Sequence, residues 1–306
     1  MSTTISTSTG AFFERARSGM NGLRAQAEAL QSQLDSGSKL SRSSDNPVAA
    51  SRLRALQRLE SLSQIDTANA DRANADLSLA GGAIEDMADA VIRAKELATQ
   101  AASSTLTGEQ RQSIAAELEQ IHTNLLALSN ARDSNGHALF GGEATGDAYR
   151  LDAAGNAVYI GTAQAEDLPL GEGQSVARSM TGPQVLSFTD ANGNATDVMA
   201  TIKALSDALK AGGGASVASD ALAGLQTSVD TLTTAQTVIG SRLNWIDLTG
   251  DRRTDLSELR STEQADLGGT DLATTILRLQ ETLTVLDASQ ASFGRVASLS
   301  LFDQLR

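Results

Sequence analysis

Few residues in this 306-residue chain stand where side-chain chemistry would need them. Ser36, Gly37, Ser38 and Lys39 have the S-x-x-K spacing of an acyl-enzyme nucleophile. That chemistry needs a serine at the head of a helix and a second Ser/Lys set, and the surrounding sequence supplies neither. His122 falls off the apolar face of its helical segment and His137 falls in a turn, so neither is placed as a metal ligand. The segment DANGN, Asp190 to Asn194, carries oxygen donors, but its glycine comes too early for a calcium loop and suits a hairpin turn. Cysteine is absent, which removes thiolate nucleophiles, disulfides and thiolate metal sites together. No catalytic residue, metal site or cofactor is expected, and the chain is not read as an enzyme. What remains to do chemistry is apolar, and that chemistry is association.

Two stripes carry it. Near the start Phe13, Ala16, Met20, Leu23, Ala27, Leu30 and Leu34 step by three and four; near the end Leu272, Ile276, Leu279, Leu283, Leu286, Phe293 and Ala297 do the same, broken by Gln290. A stripe this narrow, bounded by polar residues, cannot be buried by the helix that bears it and needs another helix against it. The ends are expected to meet each other or copies of themselves; an ordinary intramolecular bundle is the bland alternative. Gln290 either sets register, as a buried amide does in coiled coils, or faces solvent.

Composition suits long helices better than a compact catalytic core, because only 3% of residues are aromatic and the 41% that are hydrophobic are mostly Ala and Leu. A formal charge of -13 with no dense run of Lys and Arg argues against nucleic acid and against an anionic membrane surface. The opening MSTTISTSTG lacks the basic and apolar regions of a secretory signal, and no stretch reaches the roughly 20 apolar residues of a membrane helix. Membrane insertion is not expected. The chain is either cytoplasmic or exported by a route that does not use a cleaved signal peptide.

The elements that position the stripes follow from start and stop signals. A first helix runs from about Gly10 to near Gly37, a residue suited to the left-handed position after a helix end. A second opens at Asp45, Asn46 and Pro47, with Asn46 as N-cap and Pro47 at the first helical position. Its seam is Leu56, Leu59, Ala70, Ala73, Leu77, Ala80, Ile84, Met87, Val91, Ala94 and Ala101, with Ser63, Asp66 and Ala98 in the gaps. Helical throughout, it would be roughly 85 Å long at about 1.5 Å per residue. Gly81 and Gly82, each costing about 1 kcal/mol against alanine, mark a place for a kink. Thr107 with Gln110 forms a capping-box signal ahead of an inward face of Ile114, Leu118, Ile121, Leu125 and Leu128. From about residue 131 to 197 the helical period disappears and Val158 to Ile160 and Val185 to Phe188 suggest short strands bounded by the turns DAAGN and DANGN. Helical pattern resumes at Val198, Ile202, Leu205 and Leu209, pauses at Gly212 to Gly214, and continues through Leu222, Leu225, Val229, Leu232, Ile239, Leu243 and Ile246.

The expected fold is mainly α: a long antiparallel helical rod or coiled coil built from both chain ends, with a small inserted β-rich domain. Residues 1–45 and 266–306 would form a terminal coiled-coil domain, 46–140 and 198–265 a helical rod, and 141–197 the β insert, projecting from the rod because its two connections lie close together.

Four motifs in order carry a resemblance. LDSGSKLSRSSDNPVAASRLRAL, from Leu34 to Leu56, resembles the N-terminal signature of bacterial flagellins and their flagellar relatives. DNPVAAS, Asp45 to Ser51, differs from the DDAAG form usual in filament subunits and is similar to the hook-associated members. SNGHALFGG, Ser134 to Gly142, and VIGSRLNWID, Val238 to Asp247, resemble those members' strand entry and returning helix, and the ending through LSLFDQLR is similar to the C-terminal helix. His137, Ala138 and Gln304 depart from the residues commonest there.

The resemblance implies a structural protein of the bacterial flagellum, extracellular, exported without a cleaved signal peptide and handled by a cytosolic export chaperone. It implies a homo-oligomeric ring seated between a hook-associated ring protein on the hook side and flagellin on the filament side. The assembly contacts would be Leu23, Leu30, Leu34, Leu272, Ile276, Leu279, Leu283, Leu286 and Phe293, with Asp45, Asn46 and Pro47 fixing where the terminal layer ends. Two alternatives stand beside it: the main filament subunit itself, and a surface module whose β insert grips carbohydrate through Tyr149 and Tyr159.

Overall fold

The computed structural model describes residues 3–40 and 42–303, with side-chain burial from residue 10 to 296. Among the described residues seven helices and three hairpins follow in the order α1 (Thr3–Ser36), α2 (Pro47–Ala101), α3 (Gly108–Ser129), β1 (Tyr149–Leu151), β2 (Ala157–Tyr159), β3 (Asp167–Gly171), β4 (Gln174–Ala177), α4 (Gly182–Leu186), β5 (Ser187–Thr189), β6 (Ala195–Asp197), α5 (Val198–Lys210), α6 (Ala215–Gly268) and α7 (Leu272–Asp303). The fold is mainly α with a small β-rich insert. None of the described helices is long and apolar enough to cross a membrane. The chain divides into two compact units, one containing the described residues up to Ser61 and from Asp255 onward, the other Leu62–Thr254.

The larger unit is organised by the inner row of α2. Ala70, Ala73, Leu77, Ala80, Ile84, Met87, Val91, Ala94, Ala98 and Ala101 recur by three and four and are all buried. They share one core with Leu118 and Leu125 of α3, Ile202 and Leu205 of α5, and Leu225, Leu232 and Ile239 of α6. The α3 start is the reciprocal box: the Gln110 amide donates to Thr107 Oγ1 at 3.3 Å and the Thr107 amide to Gln110 Oε1 at 2.9 Å. Gly81 and Gly82 do not end α2, which continues through them. Gly81 faces Ile239 of α6, and the buried Ala80, Ala83 and Ile84 hold the turn, so packing outweighs the glycine penalty of about 1 kcal/mol each.

The insert is three separate antiparallel hairpins, β1–β2, β3–β4 and β5–β6, each a two-stranded sheet. Their inward residues Tyr149, Leu168 and Val176 belong to the same core as the helices. Val185 and Leu186 are not in a strand; they lie in the short helix α4. Thr181 and Gln184 make half of a capping box there, the Thr181 amide donating to Gln184 Oε1 at 3.0 Å, and Pro183 sits in the first turn.

One loop recurs three times. In Asp133–His137, Asp152–Asn156 and Asp190–Asn194 the aspartate amide donates to the fifth residue's carbonyl at 2.9 Å, and the glycine amide donates back to the aspartate carbonyl at 3.0 Å. Gly136, Gly155 and Gly193 take positive φ, which only glycine adopts without strain. The aspartate carboxylate accepts two loop amides in each copy, at 2.8–2.9 Å. At Asp152 and Asp190 these bonds, first among them the one from Asn156 or Asn194, pull the carboxyl below its ordinary value.

The first of these loops is tied to α2 by a half-buried cation. Arg178 reaches Asp133 at 3.1 Å, Glu166 at 3.2 Å and Asp76 at 3.5 Å. Burial raises the Asp76 carboxyl, opposed by Arg178 and reinforced by Asp133. At Asp133 burial also pushes up, but the His137 and Asn135 amides together with Arg178 outweigh it and the net shift is downward.

Candidate assembly interface

In the smaller unit α1 and α7 pair along their lengths. The inward row of α1 is the one legible in sequence: Ala27 and Leu30 are buried, and Phe13, Ala16, Met20, Leu23 and Leu34 are half-buried. At the far end the Phe13 and Phe293 rings meet edge to face with centroids 5.3 Å apart. At the near end the connectors zip together, the Lys39 amide donating to the Gly268 carbonyl at 2.7 Å and Thr270 to Gly37 at 3.1 Å. Gly37 has φ +65°, the left-handed stop after α1.

Beside the connectors, Asn46 caps α2 by accepting the Ala49 amide on Oδ1 at 3.1 Å, and Pro47 is the first helical residue. Asp45 accepts the Arg42 amide at 2.8 Å. The α2 seam departs from its expected course at Leu59, which is exposed; Glu60 turns inward instead, accepting the Ser257 hydroxyl at 3.2 Å and facing Arg260 at 3.6 Å. Asp271 opens α7, its carboxylate drawn down by the Thr274 hydroxyl at 2.6 Å and the Thr274 amide.

The inward row of α7 is not the leucine stripe. It is Thr275, Leu279, Thr282, Leu286, Ser289 and Phe293, of which Thr275, Thr282 and Leu286 are buried. Small hydroxylated residues alternate with large apolar ones at heptad spacing. The hydroxyls cost little there because they bond back along their own helix, Thr282 to the Arg278 carbonyl and Ser289 to Val285, each at 2.7 Å. Reading Thr and Ser as polar hides this seam; the seven-residue spacing of 275, 282 and 289 is the signal that finds it.

The structure therefore divides the nine candidate contacts. Leu23, Leu30, Leu34, Leu279, Leu286 and Phe293 are engaged between α1 and α7 of the same chain. Leu272, Ile276 and Leu283 remain 54%, 45% and 44% exposed. They lie about 80° around α7 from the inward row, given about 3.6 residues per turn, and form a second apolar row left exposed among the described residues. Gln290 is exposed on the same side, while Ala297 lies outside the residues with described side chains and Gln304 outside the described residues altogether.

Residues 7–145 match the bacterial flagellin N-terminal helical region. Over 312 aligned residues the chain is 25% identical to flagellar hook-associated protein 3 of Escherichia coli strain K12, covering 96% of this chain and 98% of that protein. Over residues 7–145 the chain is thus similar to the bacterial flagellins. The chain is 26% identical to flagellar hook-associated protein 3 of Salmonella typhimurium over 60% of this chain and 58% of that protein. Its fold is also that of a solved flagellar hook-associated protein from Vibrio parahaemolyticus, with TM-score 0.67 and 21% identity over 74% of this chain and 100% of the other. Hook-associated protein 3 of Legionella pneumophila gives TM-score 0.63 at 14% identity, over 70% and 98%.

Proposed function

We propose that this protein is a structural, non-enzymatic adaptor of the bacterial flagellum. It joins a hook-associated ring on the hook side to the flagellin filament and forms a homo-oligomeric ring through its terminal helices. The observation that carries the reading is the second apolar row on α7, exposed beside a seam that is already filled. Those side chains are roughly half exposed, so each has about half of the roughly 1.5–3 kcal/mol of full burial left to gain. One such contact does not hold a subunit against the entropy of association, and several neighbours engaged at once do, which makes assembly cooperative. In this reading residues 1–45 and 266–306 form the assembly layer. Export without a cleaved signal peptide, with a cytosolic chaperone keeping the terminal helices apart, belongs to the same proposal.

The hook-associated reading is favoured over a filament subunit by the DNPVAAS helix start and by two relatives named flagellar hook-associated protein 3, of which the Escherichia coli one aligns over 96% of the chain. A carbohydrate-gripping insert loses its basis, because Tyr149 is buried and Tyr159 packs on it with centroids 5.3 Å apart, leaving no free stacking platform. The deciding experiment is electron microscopy of cells lacking the protein. Hooks without filaments, with flagellin shed into the medium, are expected; filaments of normal length overturn the proposal. Leu283→Arg should leave the far-ultraviolet circular dichroism of the purified chain unchanged and abolish its incorporation into flagella.

A further inference from the structure

The larger unit carries a cleft that its own fold does not use. The β3–β4 hairpin turns through Glu172 and Gly173, both at positive φ, as a two-residue hairpin loop requires. Among the described residues Glu172 is the only non-glycine with positive φ, at 51°. The hairpin is seated on two helices: Asn69 of α2 donates to the Pro169 carbonyl at 3.1 Å and Arg253 of α6 to the Leu170 carbonyl at 3.0 Å. Between the turn and α6 lies a cleft of about 410 Å³. Its α6 wall is Trp245, the chain's one tryptophan, with Leu248 and Arg252. Leu248 is 60% exposed. Arg252 pairs with Glu172 through Nε at 2.8 Å, and its side chain is 72% exposed, so its terminal nitrogens are left to take a second carboxylate. A strained turn held by an exposed ion pair next to an exposed tryptophan is the composition of a recognition site, since Trp and Arg dominate the energetics of protein interfaces.

A complementary surface exists on the same unit. Along the outward side of α2, Glu85, Asp86 and Asp89 are exposed, and none of them forms an ion pair among the described residues. Leu79 and Ile92, both exposed, bracket them. This strip matches the cleft in kind: carboxylates for Arg252 and aliphatic groups for Trp245 and Leu248.

We propose that the Trp245–Arg252 cleft of one copy docks the Leu79–Ile92 strip of α2 on a second copy of this chain. A cleft-to-cleft contact is disfavoured because it sets Arg252 against Arg252, and a strip-to-strip contact because it sets carboxylates together. The contact is therefore heterologous, the kind that generates rings or helical arrays rather than closed dimers. In a chain of net charge -13, whose copies repel at long range, a local basic cleft on an acidic strip sets which faces meet. The proposal rests on the adaptor reading and adds the lateral contact to it.

Because the chain has no cysteine, engineered thiols report on this contact alone. Leu248→Cys and Leu79→Cys, singly and together, are expressed in the full chain, and isolated flagella are treated with a short bis-maleimide. The double variant is expected to give covalent multimers and neither single variant to do so. A double variant present in flagella yet monomeric overturns the docking proposal and leaves the adaptor reading standing. Multimers from Leu248→Cys alone overturn it in favour of an isologous contact. Wild-type protein missing from flagella overturns the adaptor reading itself. In a second measurement, Arg252→Glu and Asp86→Arg each lower the incorporated protein about tenfold, and combining them restores it; a double variant no better than either single one overturns the pairing.

Discussion

The α1–α7 seam and the interior of the Leu62–Thr254 unit obey the same heptad rule with different fillings. Inside the larger unit the inner row of α2 meets helices on several sides, and Leu77, Ile84, Met87 and Val91 lose all contact with solvent. Between α1 and α7 a two-helix seam has no third wall, so Leu23, Leu34 and Leu279 stay half-buried and Thr and Ser fill alternate layers. Isolated helices are marginal in water, and a pair that buries little gains little beyond that. One region is thus finished as a folded body, while the other is stable enough to take shape and short of the burial that would make it complete. The exposed row of α7 is where that shortfall is made up from outside.

The contrast is sharpest under substitution. The largest effect is expected at Arg178→Met, which leaves Asp76 and Asp133 buried without their shared cation and should cost about 3–5 kcal/mol in urea unfolding followed by circular dichroism. Leu118→Ala should cost about 2–5 kcal/mol in the same experiment. Leu286→Ala should leave the main unfolding midpoint in place and instead speed amide exchange along α1 and α7. Equal loss of the main transition from Leu118→Ala and Leu286→Ala would erase the distinction between the regions.

Acid separates them as well. His122, buried between α3 and α5, is held below its ordinary pKa by burial and by Lys203, against the pull of Asp197, Asp207 and Glu119. The unfolded chain then takes up a proton first, so stability is full above about pH 6.5 and falls as the pH drops from there toward the lowered folded value. His122→Leu should flatten that slope in urea titrations between neutral pH and mild acid; α1 and α7 carry no histidine, and their exchange should show no matching step. The smallest effect is expected at Arg52→Gln. Its bidentate pair with Glu263 lies in solvent, and the thermal midpoint should not move.

Much of this organisation was legible residue by residue. Asn46 with Pro47 and Thr107 with Gln110 announce helix starts through backbone bonds that reach only three residues, so no distant contact is needed to read them. The buried row from Ala70 to Ala101 follows from a period that only a helix can present to one side. Val185 and Leu186 misled because a short apolar run fits strand and helix alike, and the deciding residues, Thr181, Pro183 and Gln184, stand just before it. The loop D-x-x-G-N was visible at Asp152 and Asp190 as a turn, but its third copy at Asp133 ends in His137 and shows itself only through the shared bonding pattern.

The helices, their caps, the apolar rows and the resemblance to flagellar proteins could be read from the chain alone, because each depends on local geometry or on motifs that survive without neighbours. Only the tertiary structure decided which of two overlapping rows on α7 faces α1. That choice turns on whether Thr275, Thr282 and Ser289 can satisfy their hydroxyls while packed, and burial is a property of the partner surface, not of the residue. The same holds for the Trp245 cleft, which exists because β3–β4 meets α6 across a separation of 83 residues between Leu170 and Arg253, a distance no pattern within one segment encodes.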